Sequence, residues 1–199
     1  MQKKRSSLTL EREAKILRVL SMRQKDLTLV LANIHDPHNV SAIYRSCDAF
    51  GVPKVHLYYT DTPFPVLGAK SSASARKWVR SIRHKDIESL MAALKEDSMR
   101  VLATSCTPKA KPLNDLDLTL PTAIIMGNEH SGVDQVFENY VDGEVYIPMY
   151  GMIQSFNVSV AAAIILAEAS RQRRAAGMYD KSRYSEEELQ TLYAEWAQK

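Results

Sequence analysis

Short apolar runs alternate with helical patterns along most of this 199-residue chain, and this alternation constrains the fold more than any other feature. The runs are rich in Val, Ile and Leu, as buried strands are. Strands that alternate with helices form βαβ units. The predicted fold class is therefore α/β, with a mostly parallel sheet flanked by helices. The predicted strands are 27–34, 55–59, 78–82, 101–105, 122–126 and 145–149, and the predicted helices among them are 39–50, 87–95, 133–140 and 155–177.

One further helix is predicted at each end of the chain. Residues 8–24 place Leu and Ala at helical spacing among charged residues, which is typical of an amphipathic helix. Near the other end, Ser185 and Glu188 form a capping-box pattern, which begins a helix that runs to about Trp196. The apolar residues of this last helix recur at helical spacing, so we expect them to pack against the body of the protein or a partner chain.

Basic residues are concentrated in two segments. Residues 1–25 hold eight Lys or Arg and two acidic residues, a local net charge of +6, although the whole chain carries only +3. Residues 70–85 hold six Lys or Arg and no acidic residue. A charged run is often a solvated face, but two such segments on a nearly neutral chain favour a polyanionic partner such as RNA. The RNA-binding candidates are Lys4, Arg5, Arg12, Arg18, Arg76, Lys77 and Arg80.

The predicted helix 155–177 lacks a polar face over its first half. Residues 158–167 are apolar all round except for Ser159. A helix of that kind has to be covered on every side. The sheet can cover one side, and a second subunit is expected to cover the other. The sequence therefore predicts a homodimer.

Several classes of protein are excluded or disfavoured. Two cysteines cannot form a disulfide framework, and neither lies in a zinc-ligand spacing. The glycine fingerprint of nicotinamide-dependent oxidoreductases is absent. No segment approaches the ~18 apolar residues of a membrane span, and no apolar stretch of signal-peptide length follows the basic start. We therefore expect a cytoplasmic protein without a membrane partner.

Polar residues follow three of the predicted strands, at the edge where open α/β sheets bind ligands. The three segments are 33–45, 125–132 and 147–158. Asn39 is expected to cap the helix of the first segment, and Asn157 leads into the apolar helix after the third. Gly127 in the second segment would allow the backbone to approach a ligand closely. Each signal alone is weak.

Together, and in this order, these three segments resemble the three motifs of the SpoU branch of the SPOUT RNA 2′-O-methyltransferases. The resemblance covers roughly residues 25–178, and residues 167–179 are similar to the subgroup that methylates guanosine 18 of tRNA. It implies three regions. They are a basic RNA-binding extension at 1–24, a methyltransferase domain at 25–178 with a deep trefoil knot at about 122–178, and a C-terminal helix at 179–199.

The resemblance also implies a cofactor. S-adenosyl-L-methionine would bind in the knot and leave as S-adenosyl-L-homocysteine, with no metal involved. The family is a homodimer that acts on RNA, here tRNA. The implied cofactor-binding residues are Thr104, Gly127, Ile147 and Phe156, with Met126, Met149 and Met152 nearby.

The implied catalytic residues are Arg45, Asn39, Glu129, Ser155 and Asn157. In the family Arg45 would be the base that accepts the proton of the ribose hydroxyl. A guanidinium has a pKa above ~12 and is normally protonated, so a second role stays open, in which Arg45 orients the ribose through its phosphate. Asn39 would hold Arg45 or the ribose, and the other three residues would shape the knot and order the substrate.

Two alternatives remain beside methylation of guanosine 18. The chain could methylate a different ribose in tRNA or ribosomal RNA, since the target nucleotide is not legible in the sequence. It could also be an RNA-binding module without activity. Such a module would explain the basic segments but not the polar clusters at the strand ends.

Overall fold

The computed structural model describes residues 8–65, 75–128 and 131–199. In these ranges, seven strands form one sheet in the order β3-β2-β1-β6-β4-β7-β5, and every pairing is parallel. The predicted α/β class with a parallel sheet is confirmed. The strands are β1 (Leu27–Ala32), β2 (Lys54–Tyr58), β3 (Arg80–His84), β4 (Arg100–Thr104), β5 (Lys111–Pro112), β6 (Thr122–Met126) and β7 (Gly143–Tyr146).

Helices cover both faces of the sheet. The helices are α1 (Leu10–Ser21), α2 (Pro37–Ala49), α3 (Ile87–Glu96), α4 (Val158–Ala175) and α5 (Glu186–Trp196). On one face α2 and α4 pack against each other and share a core with β1 and β6, in which Ile43, Leu29 and Ile165 are fully buried. On the other face Leu90 and Leu94 of α3 are buried against residues such as Val30. Among the described residues, no helix is both long enough and apolar enough to cross a membrane.

Some predicted elements are wrong in kind or in their bounds. The predicted helix 133–140 is only a short 3₁₀ turn at Gln135–Phe137. The last strand ends at Tyr146, so 147–149 lie beyond it, and α4 begins at Val158 rather than at 155. The edge strand β3 begins two residues later than predicted, because a 3₁₀ turn at Ala75–Lys77 precedes it. Strand β5 is too short to leave a periodic signal.

The two terminal helices pack against each other. Ile16 and Leu20 of α1 form a buried cluster with Trp196 of α5, joined by Leu189, Leu192 and Tyr193. The predicted capping box of α5 is present, with Ser185 and Glu188 in their expected roles. The apolar residues of α5 therefore pack against the body of the same chain, which is one of the two arrangements expected from the sequence.

Not all of the basic N-terminal segment faces water. Arg23 is only 1% exposed; it donates to the Val52 carbonyl at 3.1 Å and to the Asp48 carboxylate at 2.5 Å. The net charge of +6 in residues 1–25 therefore overstates the charge available to RNA, because the Arg23 guanidinium is buried and paired with Asp48.

A second buried arginine fastens the end of α4 to the start of β1. Arg173 is fully buried and donates to the Asp26 carboxylate at 2.5 Å and to the Leu118 carbonyl at 2.9 Å. Burial would raise the pKa of Asp26, but hydrogen bonds and charges from Arg173 and Arg183 outweigh it and hold the pKa below the ordinary value. The C-terminal part of the chain is thereby tied to the amino end of the sheet.

Candidate functional site

A cavity of about 780 Å³ lies at the carboxyl ends of three adjacent strands. Thr104, Met126 and Tyr146, the last residues of β4, β6 and β7, all line it. The Thr104 hydroxyl donates to the Ile125 carbonyl at 3.0 Å, so it joins two of these strands at the cavity wall. This is the edge at which open α/β sheets bind ligands.

The loop after β6 turns back on itself beside the cavity. Asn128 and Gly132 exchange backbone hydrogen bonds of 3.0 and 3.1 Å. A Cβ atom on Gly127 would lie 2.1 Å from the Gly132 carbonyl carbon, so no side chain fits there. Gly132 has a φ of +71°, which L side chains rarely adopt. The sequence predicted that Gly127 lets the backbone approach a ligand. The structure gives a different reason for the glycine, which is that the closed loop leaves no room for a side chain.

Asn157 joins the third polar segment to the first. Its side-chain oxygen caps α4 by accepting from the Ser159 and Val160 backbone N–H groups. Its side-chain nitrogen donates to the Asn39 side-chain oxygen at 3.1 Å. These two predicted site residues therefore touch, although 118 positions separate them. Asn39 is not the helix cap, because Asp36 caps α2 and accepts from the His38 N–H.

Most of the predicted site residues share this cavity. Those that line it are Thr104, Met126, Gly127, Ile147, Met149, Ser155, Phe156 and Asn157. Met152 does not, and its side chain is fully exposed. Arg45 is exposed on α2 and also lies outside the lining of the cavity in its own chain. Glu129 lies outside the described residues.

Acidic residues of the cavity were missed by the sequence analysis. Asp134, Glu138 and Glu144 line it, and none of its described lining residues is Lys, Arg or His. The Thr107 hydroxyl donates to the Glu144 carboxylate, and this hydrogen bond is the main reason that the pKa of Glu144 is lowered. Glu144 is therefore anionic at neutral pH. Nothing in the sequence indicated that these acids line a site, because they lie in or beside segments interpreted only as a helix and a strand.

The cations predicted to bind RNA lie elsewhere. Arg76, Lys77 and Arg80 line a second cavity of about 740 Å³ beside Trp78 and Trp196, which we call the basic groove. The other two described candidates, Arg12 and Arg18, are exposed on α1 outside this groove. Lys4 and Arg5 lie outside the described residues.

Comparisons with known proteins agree with the motif pattern. The model of the SpoU rRNA Methylase family matches residues 26–167, and that of the SpoU rRNA methylase C-terminal region matches 171–198. The chain belongs to the SpoU methylase family. The resemblance inferred from the three segments is confirmed.

Within the family, several similar relatives share one activity. The tRNA (guanosine(18)-2′-O)-methyltransferase of Thermus thermophilus is 43% identical over 94% of this chain and 96% of its own. That of Escherichia coli K12 is 42% identical over 92% and 81%. The crystal structure of the Aquifex aeolicus TrmH/SpoU tRNA modifying enzyme superposes with a TM-score of 0.88, at 36% identity, over 94% of this chain and 95% of that one.

A fourth comparison bears on the cofactor. The SpoU methyltransferase AviRb from Streptomyces viridochromogenes, solved in complex with AdoMet, has a TM-score of 0.70 at 25% identity. It covers 76% of this chain and 62% of that one. Among the residues that the structure describes, no group of His, Cys, Asp or Glu could hold a metal ion.

Proposed function

We propose that this protein methylates the 2′-hydroxyl of guanosine 18 in tRNA, with S-adenosyl-L-methionine as the methyl donor. The observation that carries the proposal is the cavity at the carboxyl ends of the strands, which collects eight of the predicted site residues, seven of them from the second and third motif segments. The like-sized relatives named for this reaction, at 42–43% identity, supply the target nucleotide. Because tRNA is used in translation, the proposed activity is a cytoplasmic one.

The charge of the cavity suits this cofactor. S-adenosyl-L-methionine carries a sulfonium and an ammonium cation against one carboxylate. The described lining holds three carboxylates and no cationic side chain, so it favours a cationic ligand. The glycine-closed loop at Gly127 exposes backbone rather than side chain to that ligand. A dinucleotide, with two phosphates, would meet like charge there.

When bound, the cofactor supplies a methyl group made electrophilic by the sulfonium, so no metal is required. The chain has to position the ribose, and the proton of the ribose hydroxyl passes to water at the cavity edge, where Ser155 and Asn157 are exposed. Asn39 and Asn157, hydrogen-bonded to each other at the cavity edge, offer amide donors and acceptors for the ribose. Ser155 lies next to them in the cavity lining. Holding two reacting groups in line accounts for a large part of the rate enhancement of such transfers.

The exposure of Arg45 favours one of its two roles. Arg45 is exposed, and a guanidinium can donate paired hydrogen bonds to a phosphate that reaches it. We infer that Arg45 clamps a phosphate next to the target ribose. Arg45→Ala should abolish methyl transfer and leave cofactor affinity within about twofold, because the side chain does not line the cavity. Loss of cofactor binding in calorimetry would contradict this assignment.

We also propose that the chain is knotted between 122 and 178. Strand β7 lies between β4 and β5, which are already joined by the 105–110 loop. The Thr107 hydroxyl of that loop donates to Glu144 on β7. The segment after β7 then returns past the same cavity into α4. An electron-density trace through 122–178 tests this proposal.

An uncovered apolar stripe on α4 supports the proposed homodimer. In the single chain one face of this helix is uncovered, because Val160 is 45% exposed and Ala167 is exposed. This is the face that the sequence analysis assigns to a second subunit. Just before the helix, Tyr150 and Met152 are 98% and 100% exposed. A patch of this kind marks an interaction site.

Val160→Asp tests the dimer without disturbing the core, since Val160 is exposed whereas Ile165 is fully buried. We expect a folded monomer in light scattering. A dimer of unchanged affinity would contradict this interface.

The activity itself is tested with tritiated S-adenosyl-L-methionine and bulk tRNA, followed by mapping of the methylated nucleotide. Label on the 2′-oxygen of guanosine 18 is expected. Label on another tRNA or ribosomal RNA ribose would support the alternative target. Binding of RNA without transfer would leave only an RNA-binding module.

A further inference from the structure

The basic groove lies at the opposite edge of the sheet from the cavity. Its lining includes Asp26, Lys54 and Arg80, which stand immediately before or at the first positions of β1, β2 and β3. All strands are parallel, so these starts share one edge. A five-residue strand is about 17 Å long, which separates the groove from the strand ends that form the cavity. A ligand of the groove is therefore not the reacting nucleotide.

The carboxylates of the groove are already neutralised. Asp97 pairs with Lys54, Glu188 pairs with Lys25 at 2.9 Å, and Glu195 pairs with Lys199 at 2.6 Å. The fourth, Asp26, is held by two arginines at 2.5 and 2.6 Å. These pairs leave no carboxylate of the groove to balance its remaining cations.

Three of those cations are available to a ligand. Lys77, Arg80 and Arg83 are exposed, and none forms an ion pair with another described residue. Arg80 and Arg83 lie on β3, the edge strand of the sheet, and no further strand of the described residues pairs with β3. The groove therefore has a local excess of positive charge that suits a phosphate.

Two tryptophan rings form an aromatic wall of the same groove. The Trp78 and Trp196 rings are in contact, with centroids 4.7 Å apart, and Trp78 remains partly exposed. The Arg23 guanidinium lies 5.1 Å from the centre of the Trp196 ring. Arg23 is 1% exposed, and its Nε finds no hydrogen-bond partner among the described residues. Arg23, which is paired with Asp48, therefore supports the Trp196 ring from within the fold.

We propose that the basic groove binds an unpaired nucleotide of the RNA substrate, with its phosphate on Arg80 and Lys77 and its base against Trp78. This inference rests on the proposed function, which makes RNA the substrate. A volume of about 740 Å³ is in the range of small-molecule sites, roughly 300–1,000 Å³, and so holds one nucleotide rather than a helix. Bases of a duplex are stacked and cannot reach a recessed ring, whereas unpaired bases stack on aromatic side chains.

The test measures binding to two RNA probes at 0.1 M KCl. One is a single-stranded eight-nucleotide RNA of mixed sequence, and the other is a blunt duplex of the same length. The single strand should bind more tightly than the duplex and should quench tryptophan fluorescence, since the chain has only two tryptophans and both line the groove. Equal affinity for the duplex, or displacement by polyglutamate at equal charge, would overturn the proposal.

Variants assign the binding to the groove. Trp78→Leu should weaken single-strand binding about tenfold, and Trp78→Phe should restore most of it. Arg80→Gln should weaken binding and lower the slope of log affinity against log salt by about 1, whereas Lys85→Gln, which removes an exposed charge outside the groove, should have the smaller effect. If Trp78→Leu fails to fold, the comparison of Arg80→Gln with Lys85→Gln still tests whether the RNA binds in the groove. Equal effects of that pair would overturn the groove assignment.

Cofactor binding separates this inference from the proposed function. In all four variants the affinity for S-adenosyl-L-methionine should equal that of the unmodified protein. If the unmodified protein neither binds the cofactor nor methylates tRNA, the proposed function fails whatever the groove does. If methylation is intact and the variants bind the single strand normally, only the groove proposal fails.

Discussion

The two edges of the sheet carry cavities of similar size and opposite charge. At the carboxyl ends of the strands the described lining holds three carboxylates and no cation, whereas at the amino ends three exposed cations have no carboxylate partner. The strands are all parallel, so each edge collects only one kind of strand end. A single sheet can thereby keep a cationic cofactor and a polyanionic substrate at separate places. The overall charge of +3 conceals this division.

The largest expected effect concerns the acidic edge. Gly127→Val should lower cofactor affinity by at least about a hundredfold, because its Cβ would lie 2.1 Å from the Gly132 backbone and force the loop open. Gly151→Ala is the matched control, since nothing lies within 4 Å of a Cβ there. Calorimetry with S-adenosyl-L-methionine measures both. Normal affinity in Gly127→Val would show that the closed loop does not form the cofactor site.

Acid should loosen the edge strand β3 before the central strand β6. His56 on β2 and His84 on β3 are hydrogen-bonded at 2.9 Å, and both are buried. Burial, then the neighbouring His84 and Lys54, lower the pKa of His56 from 6.5 to about 4. Burial also lowers the pKa of His84, against a small opposing effect of Asp86.

His56 takes up a proton at a higher pH in the unfolded chain than in the folded protein. Its contribution to the free energy of unfolding is therefore fully present above about pH 6.5 and is lost as the pH falls toward 4. Between pH 7 and pH 5, His56 alone should cost about 2 kcal/mol of unfolding free energy. Urea titrations measure this loss, and hydrogen exchange should report faster opening of β3 than of β6. The exposed His38→Ala should keep the acid sensitivity, which His56→Phe should reduce. Equal opening of both strands would show that the buried histidine pair does not set the acid sensitivity of β3.

A smaller effect tests the charge of the cavity. Glu144→Gln should weaken S-adenosyl-L-methionine about fivefold and S-adenosyl-L-homocysteine hardly at all, because only the former carries the sulfonium charge. Glu187→Gln removes an exposed acid outside both cavities and should change neither affinity. An equal loss for both ligands would mean that Glu144 supports the loop through Thr107 rather than selecting charge.

The smallest effect is expected on α1. Arg12 and Arg18 are exposed outside the groove, so replacing both with Gln should weaken tRNA binding only two- to threefold and reduce its salt dependence. Deleting residues 1–24 would be a poor test, because it also removes the buried Arg23 and the Ile16 and Leu20 packing on Trp196. A loss as large as that of Arg80→Gln would place the main RNA contact on α1.

The cavity could be predicted from the sequence because strand polarity alone brings the three polar segments to one edge. A short, continuous apolar run predicted β6 with its observed bounds, since the whole strand is buried. The contact between Asn39 and Asn157 depends on the packing of α2 against α4, which no local pattern reports. For the same reason, the sequence could not distinguish Arg23, a structural guanidinium under Trp196, from the exposed arginines around it.

The error at 133–140 has a local cause. Apolar residues at helical spacing predicted a helix, but Asp134 caps only a 3₁₀ turn there, and the backbone continues as loop toward β7. That loop supplies Asp134 and Glu138 to the cavity. An irregular segment at a ligand-binding edge follows the shape of the site rather than a helical period.

The most direct test of the central claim uses two tRNA transcripts that differ by one oxygen atom. Both are incubated with the protein and tritiated S-adenosyl-L-methionine, and one carries 2′-deoxyguanosine at position 18. A ribose 2′-O-methyltransferase acting on that nucleotide should label the ordinary transcript and leave the deoxy transcript unlabelled. Equal labelling of the two transcripts would contradict the proposed reaction at guanosine 18.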